Sequence, residues 1–516
     1  MNDLKEQLIK DIENFRIIGH KFLNGEINRA EFKKTSGGMG VYSHRSGTEF
    51  MVRLRTFSGV LSKDRLKFIY GLAEQYNLEG VHLTTRQDIQ LHGLGIDEIY
   101  EIMKAALEEG IHTRGAGGNF PRNVALSPLS GVNPKEAFDV TPYAIRVNEH
   151  FLSKITSYKL PRKLKVAFAS SNEDEAHATV TDLGFLAVKE NEKEYFKLYL
   201  GGGLGRNPKV GIEYDELVEP KDVLYHVEAM TSLFIAEGDY ENHGKARIRY
   251  IVERMGAEAF IECYKKHLEK VKIEQNLSLE IADKKVVKQG IKTNLVSNRL
   301  FEQKVEGLYS VYFHPIGGQL KLSVLKMLLE EISSIEEAEV RLTMNEGLYI
   351  TNLNGEEAER LIKLTKTLGG ETRLEQSVAC IGVPTCQIGV LNGQKTLQEI
   401  ISKFKEENII EDILPRVHIS GCANSCGVHE VGAIGFFGKL KRVNNVSSNV
   451  FELHVKGKLG KDVTRLGASY GDILQDQVPQ FLLELARTIK TEKVEFIDWL
   501  ESHETEFKEL VGKFAV

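Results

Sequence analysis

The apolar positions of this chain follow two periods. Alternation over Phe50–Arg55, Val81–Thr84 and Ile89–His92 predicts three strands. Spacing at i, i+3, i+4 over Lys63–Tyr76 and Ile96–Glu109 predicts two helices. Strand, helix, strand, strand, helix is the core order of a split βαβ, ferredoxin-like unit. The same pattern then returns. Displacing the chain by 259 residues lays Val52–Gly110 over Val311–Gly369 without a gap, and twelve of the 59 positions are identical, Gly59/Gly318 and Leu61/Leu320 among them. Chance would give about three or four at ordinary composition.

Later landmarks repeat in the same order. LPRKLK at Leu160–Lys165 echoes LPRVHI at Leu414–Ile419, which sets Lys163 and Lys165 over Val417 and Ile419. FKLYLGGGLGR at Phe196–Arg206 echoes FELHVKGKLGK at Phe451–Lys461. The chain reads as α+β and internally duplicated, with two ferredoxin-like βαββα modules and two larger α+β modules. The predicted boundaries are a helical N-terminal arm at 1–44, a ferredoxin-like module at 45–115, an α+β module at 116–272, a linker at 273–303, a second ferredoxin-like module at 304–372 and a second α+β module at 373–516.

Composition narrows the class. The 516 residues are 42% hydrophobic and 27% charged, with a net charge of −6. That excludes collagen-like and largely disordered chains and argues against a general nucleic-acid binder. Charges from Asp3 onward leave no apolar signal-peptide core. The longest charge-free run, Gln376–Gln394, contains Pro384 and makes a poor membrane span. The expectation is a cytoplasmic protein without nucleic-acid or membrane partners.

Four of the five cysteines lie within 47 residues, as Cys380-x5-Cys386 and Cys422-x3-Cys426. Gly382, Pro384, Gly389, Gly421 and Gly427 flank them, and glycine lets backbone N–H groups approach a cluster sulfur. An iron–sulfur cluster fits this set. Zinc, the competing reading, usually takes pairs spaced by two to four residues. Unligated core thiols are the third reading. Cys263, in GAEAFIECYKK, reads as a buried helical thiol.

The cysteine pattern, with SGCANSCG at Ser420–Gly427, resembles the sirohaem-containing sulfite and nitrite reductases over roughly residues 35–510. The resemblance implies a [4Fe–4S] cluster on Cys380, Cys386, Cys422 and Cys426, with Cys426 also ligating the sirohaem iron. It implies the six-electron reduction of sulfite to sulfide, with electrons from an external one-electron donor such as ferredoxin, since the chain shows no flavin or NADPH module. Where the family usually has proline in the second cysteine loop, this chain has Ala423.

A site for a polycarboxylate macrocycle and an oxyanion must be cationic. Such residues gather in the N-terminal half: Arg53 and Arg55 in MVRLR, Arg86, Gln90 and His92 in TTRQDIQLHG, Arg122 and Asn123 in GGNFPRNV, and Arg162, Lys163 and Lys165 in LPRKLK. By resemblance, Arg53, Arg122, Lys163 and Lys165 would hold the substrate and are the catalytic candidates. Arg86, Arg162 and Asn424 would contact the macrocycle. Arg55, Gln90, His92 and Asn123 are further cofactor candidates, and each also reads as a structural polar residue. GGGLGR, ending at Arg206, reads as an anion nest or a plain tight turn. The family often has arginine where this chain has His82, and Ser127 cannot form the cysteine–tyrosine link of some members.

Nitrite reductase shares fold and cofactors with this reading. Its lysine motif is commonly K-x-N, whereas this chain has Lys163-Leu164-Lys165, which favours sulfite. A non-catalytic iron–sulfur carrier or sensor would need no anion pocket, and a corrin-pathway oxygenase relative would not keep all four catalytic cations. Lys439, Lys441 and Arg442 in GKLKRVNN read as a donor-docking patch or as a solvated hairpin.

Overall fold

A computed structural model describes residues 2–282, 286–492 and 494–516. Residue 1 of the predicted arm and residues 283–285 of the predicted linker lie outside the described residues. Both ferredoxin-like units are present. In the first, Phe50–Leu54 pairs antiparallel with Ile89–Leu94, which pairs with Gly80–Leu83. In the second, Leu308–Phe313, Leu348–Asn354 and Glu339–Leu342 repeat that order. Helix Lys63–Gln75 begins at Ser62, whose hydroxyl accepts from the Arg65 N–H at 3.2 Å and satisfies one open donor of the first turn. Helix Gly355–Leu364 begins with a capping box between Asn354 and Glu357.

Each unit is completed by the other. Val60–Leu61 pairs with Glu339–Leu342 of the second unit, and Gln319–Lys321 pairs with Gly80–Leu83 of the first. The exchange turns on Gly59 and Gly318, with φ of 79° and 73°. A Cβ at Gly318 would stand 2.7 Å from the Leu83 carbonyl oxygen, so glycine is required there. Both units therefore surround one hydrophobic core, in which Leu61, Leu66 and Ile69 meet Leu320, Leu325 and Leu328.

Two more strands were not legible in the alternation because each is three residues long. Val41–Ser43 pairs with Phe50–Leu54, and Leu300–Glu302 pairs with Leu308–Phe313. The predicted arm and linker thus end inside the sheets. The rest of the arm is helical, over Asn2–Leu23 and Arg29–Ser36.

The larger modules share a second topology. Ala125–Leu126, Val166–Ala169 and Leu183–Glu190 run parallel, and Lys193–Leu200 and Ile212–Glu213 continue antiparallel. Val378–Ala379, Val417–Ser420, Ile434–Val443, Val446–Val455 and Ala468–Leu474 repeat the arrangement. Each module has its own core. Phe168 stacks on Phe185 at 4.5 Å in the first, and Phe436, Phe481 and Trp499 are buried in the second. Burial of each such ring contributes roughly 2–3 kcal/mol.

Strand register corrects one alignment. Val166 pairs with Leu183 as Val417 pairs with Ile434, so Val417 matches Val166 rather than Lys163. In the second copy the strand follows Leu414-Pro415-Arg416 directly. In the first, Lys163-Leu164-Lys165 intervene between the tripeptide and the strand. Both lysines sit on an insertion.

Candidate functional site

The site lies where loops of the two copies meet. The loop after Val417–Ser420 carries Cys422 and Cys426, and it turns through Ser425 and Val428 with φ of 55° and 49°. The matching loop of the first copy turns the same way at Asp174 and His177, with φ of 51° and 62°. At the positions of Cys422 and Cys426 it has Ser171 and Glu175. One loop geometry was used twice, and only the second copy carries thiols.

Cys380 follows Val378–Ala379. Its N–H donates to the Ile419 carbonyl at 3.1 Å, and the Gly421 N–H donates to its sulfur at 3.1 Å. The Cys386 N–H donates to the Gly382 carbonyl at 2.7 Å, with Gly382 at φ 54°. Asn424 Nδ2 donates to the Cys422 sulfur at 3.3 Å. The thiols lie within electrostatic range of one another. Among the described residues, no three Cys, His, Asp or Glu side chains are close enough to hold a single metal ion. That disfavours zinc. A cubane cluster is wider than one ion, takes thiolates spread farther apart, and is tuned by N–H···S bonds like those from Gly421 and Asn424. The four cysteines fit it.

The first copy faces these thiols with cations. The charges of Lys163 and Arg53 reach the Cys426 sulfur. Lys165 is pushed down to about 7 by burial and by Arg86 and Arg247. Lys163 is held well below the usual lysine range by burial, with Arg247 and Lys165 adding to it. Arg122 is pushed to about 9 by burial. It donates to the carbonyls of Gly117 and Gly118 at 2.6 and 2.8 Å, which anchors it beneath the glycine turn. Arg53 donates to the Ala116 carbonyl at 2.9 Å. Lys163, Lys165 and Arg53 thus lie within electrostatic range of Cys426, and Arg122 lies within range of Arg53 and Lys163.

The cofactor candidates divide. Half-buried Arg162 donates to Asn119 Oδ1 at 3.4 Å and keeps most of its guanidinium free. Arg86 donates to the carbonyls of Asn123 and Val166, each at 2.9 Å. Gln90 and His92 line the same sheet face as Arg53. Two residues are bonded mainly to the protein. Fully buried Arg55 ties Pro121 to Asn148, at 2.9 and 3.2 Å, and its Nε has no partner among the described residues. Asn123 accepts from the Ser58 N–H at 3.0 Å and donates to the carbonyls of Arg86 and Gln87 at 3.2 Å. The Arg206 side chain is exposed. What reaches the site from its loop is Gly205, whose N–H donates to Glu430 Oε1 at 2.8 Å beside Asn424. His82 is buried and pushed to about 4, so it offers no cation where the family often has arginine.

The sequence reading missed Arg247 and Arg249, although their i, i+2 spacing is the signal that singled out Arg53 and Arg55. Arg247 makes a buried pair with Asp182, with Nη2 at 2.8 and 2.9 Å from the carboxylate oxygens. Arg249 is buried, and its Nε and Nη1 have no partner. A Cβ at Gly203 would stand 2.7 Å from that Nη1. Arg249 Nη2 donates to the Arg206 carbonyl at 2.6 Å, and a glycine cradle beside the two unsatisfied nitrogens of a buried guanidinium suits a polyanionic group.

Lys439 and Lys441, read as a docking patch or a solvated hairpin, are both paired with acids. Lys439 pairs with Glu452 at 2.6 Å and Asp472 at 2.8 Å, and Lys441 pairs with Asp472 at 2.8 Å. Neighbouring strands supply the acids, which the hairpin sequence alone did not show.

The ferredoxin-like half domain of nitrite and sulfite reductases matches residues 42–109, and the nitrite and sulphite reductase 4Fe-4S domain matches residues 117–272. The second match falls on the copy that supplies the cations, while the four cysteines lie in the other copy of that fold. Chloroplastic ferredoxin–nitrite reductase of Spinacia oleracea is 26% identical over 443 residues, which is 83% of this chain and 72% of the relative. The hemoprotein beta-component of NADPH sulfite reductase of Anoxybacillus flavithermus is 26% identical over 465 residues, 80% of this chain and 78% of the relative. Ferredoxin sulfite reductase of Mycobacterium tuberculosis is 26% identical over 423 residues, 80% and 74%. The solved structure of the M. tuberculosis NirA protein shares the fold, with a TM-score of 0.80 at 23% identity, covering 98% of this chain and 96% of that one.

Residues 42–109 and 117–272 therefore carry two domains of the nitrite and sulfite reductases, and the curated relatives over four fifths of the chain are reductases of those two kinds. The protein is an oxidoreductase whose cofactors are sirohaem and a [4Fe–4S] cluster. Among the described residues, no helix is long and apolar enough to cross a membrane.

Proposed function

We propose that this protein reduces sulfite to sulfide, taking electrons singly from an external donor protein such as ferredoxin, in the cytoplasm. The observation that carries this reading is the pair Lys163 and Lys165. Both sit on the insertion found only in the cation-bearing copy, and Lys163 faces Cys426. Among the described residues neither ammonium has a hydrogen bond or ion pair. Sulfite carries two negative charges and nitrite one, so a second free ammonium matches the dianion.

The sirohaem and cluster, when bound, would pass on the donor's electrons and supply the metal site for the substrate. Cys380, Cys386, Cys422 and Cys426 would hold the cluster, and Arg86, Arg162, Arg249 and Asn424 would hold the macrocycle. The chain's own residues do the rest. Arg53 and Arg122 orient the oxyanion. Lys165, at about 7, gives up a proton near neutrality and regains it from solvent as each S–O bond is lost. Lys163 keeps positive charge beside it once a polyanion enters the cleft and raises its proton affinity.

Nitrite is the second reading, favoured by the similarity to the ferredoxin–nitrite reductases. Loaded protein, its sirohaem verified by absorbance and reduced by dithionite and viologen, should turn over sulfite with the higher kcat/KM. A preference for nitrite would establish the second reading, and absence of sirohaem bands would remove both.

A further inference from the structure

The sheet face that carries Arg53 also carries Gln90 and His92, because Arg53 pairs with Gln90 and Met51 with His92 across the two strands. His44 follows the edge strand Val41–Ser43. A continuous line of polar atoms joins these side chains to the surface. Arg53 Nε and Nη2 donate to the Gln90 side-chain oxygen at 3.1 and 2.6 Å. Gln90 nitrogen donates to His92 Nε2 at 3.1 Å. His92 Nδ1 lies 3.2 Å from His44 Nε2, and His44 Nδ1 lies 3.4 Å from Glu49 Oε2. The His44 side chain is 11% exposed and that of Glu49 is 59% exposed.

Donor chemistry gives the line one direction. Arginine only donates, so Gln90 turns its oxygen to Arg53 and its NH2 to His92. His92 Nε2 must then accept, which leaves its proton on Nδ1, donated to His44 Nε2. The His44 proton therefore sits on Nδ1 and is donated to the Glu49 carboxylate. The groups facing His92 are His44, Arg53 and the His82 ring, whose centre is 6.1 Å away. Burial together with these neighbours holds His92 well below the usual histidine range, so the ring stays neutral and free to accept.

The arrangement commits one hydrogen each on Nε, Nη2 and Nη1 of Arg53, the last to the Ala116 carbonyl. One hydrogen remains on each of Nη1 and Nη2, and these are the donors left to hold an oxyanion. The second copy has Tyr312, Tyr349, Thr351, Gln303 and Leu308 at the matching positions, so none of the line is a by-product of the duplicated fold.

We propose that His44 and Glu49 are positioning residues, which act through His92 and Gln90 to hold the Arg53 guanidinium with its outer edge toward the bound anion. The proposal rests on the functional reading above. When the line is cut at either outer residue, Gln90 is free to turn over. Its NH2 then faces the guanidinium, and two charge-assisted bonds are lost.

The test uses sirohaem-loaded protein in two measurements: the Kd for sodium sulfite from an absorbance titration, and KM and kcat with dithionite and viologen. His44→Leu and Glu49→Leu should weaken Kd and raise KM by about tenfold, with kcat within about twofold. His44→Gln and Glu49→Gln should stay within about twofold of wild type. A carboxamide at 44 accepts from His92 and donates to Glu49, and one at 49 accepts from His44. Glu49 is exposed, so its variants fold even where those of His44 do not. Leu and Gln variants that behave alike, whether both impaired or both normal, would overturn the proposal. Wild type that binds sulfite but turns over neither sulfite nor nitrite would contradict the functional reading alone, and the titration would still judge the line. Wild type that binds no sulfite would overturn both.

Discussion

The Thr85 hydroxyl donates to the Cys426 carbonyl at 2.8 Å, which ties a turn of the first copy to the cysteine expected to be shared by cluster and sirohaem. Arg86 is the next residue in that turn. The cation field and the thiol are therefore held at a fixed separation by a bond between the two copies.

Thr85→Val removes this bond, which contributes on the order of 1 kcal/mol, or about fivefold in an equilibrium. The cluster should bleach about fivefold faster in air, followed by absorbance. Thr85→Ser keeps the hydroxyl and should restore the wild-type rate.

Arg249 carries a buried charge with Nε and Nη1 unsatisfied beside the Gly203 cradle. Arg249→Leu should reduce sirohaem retention on the order of tenfold, read as the ratio of sirohaem to protein absorbance after dialysis. The Tm of the cofactor-free chain should stay the same or rise, because the variant removes an uncompensated charge.

Acid should unfold this protein early. Burial pushes His112 down to about 4 and His226 and His314 down to about 3. Their folded pKa values lie below the unfolded value of about 6.5. Between these values the unfolded chain binds more protons, so the stability from neutral rings is full above pH ~6.5 and is lost as pH falls toward 3–4. Each ring adds about 1.4 kcal/mol per pH unit to the slope. Denaturation at a series of pH values should show this fall, and His226→Gln should make it shallower. A flat profile from pH ~6.5 to ~5 would contradict the assignment.

Much of the fold could be read from periodicity, because long amphipathic elements such as Lys63–Gln75 and Ile96–Glu108 state their own period. The strand exchange could not. Val60–Leu61 and Gln319–Lys321 are too short to alternate visibly, and their partners lie in the other copy. The cysteines were legible because thiolate ligation needs that residue type at that spacing. Asn123 looks like a cofactor contact in sequence, and only three-dimensional pairing shows that its hydrogen bonds are spent on the protein. The pairing of Lys439 and Lys441 was hidden for the same reason, since Asp472 arrives from another strand.

Gly318→Val tests the exchange. The new side chain would meet the Leu83 carbonyl oxygen at 2.7 Å from a φ of 73°. It should cost roughly 2 kcal/mol or more. Because both ferredoxin-like units share one core, calorimetry should show a single transition moved to lower temperature. Separate transitions for the two units would contradict the shared core.

In the proposed function, Lys163 and Lys165 together set the site for a dianion. The most direct measurement is the ratio of kcat/KM for sulfite to that for nitrite, in wild type and in Lys165→Asn, with sirohaem content matched by absorbance. The ratio should exceed one in wild type and fall on the order of tenfold in the variant. An unchanged ratio, or a wild type that prefers nitrite, would contradict this role.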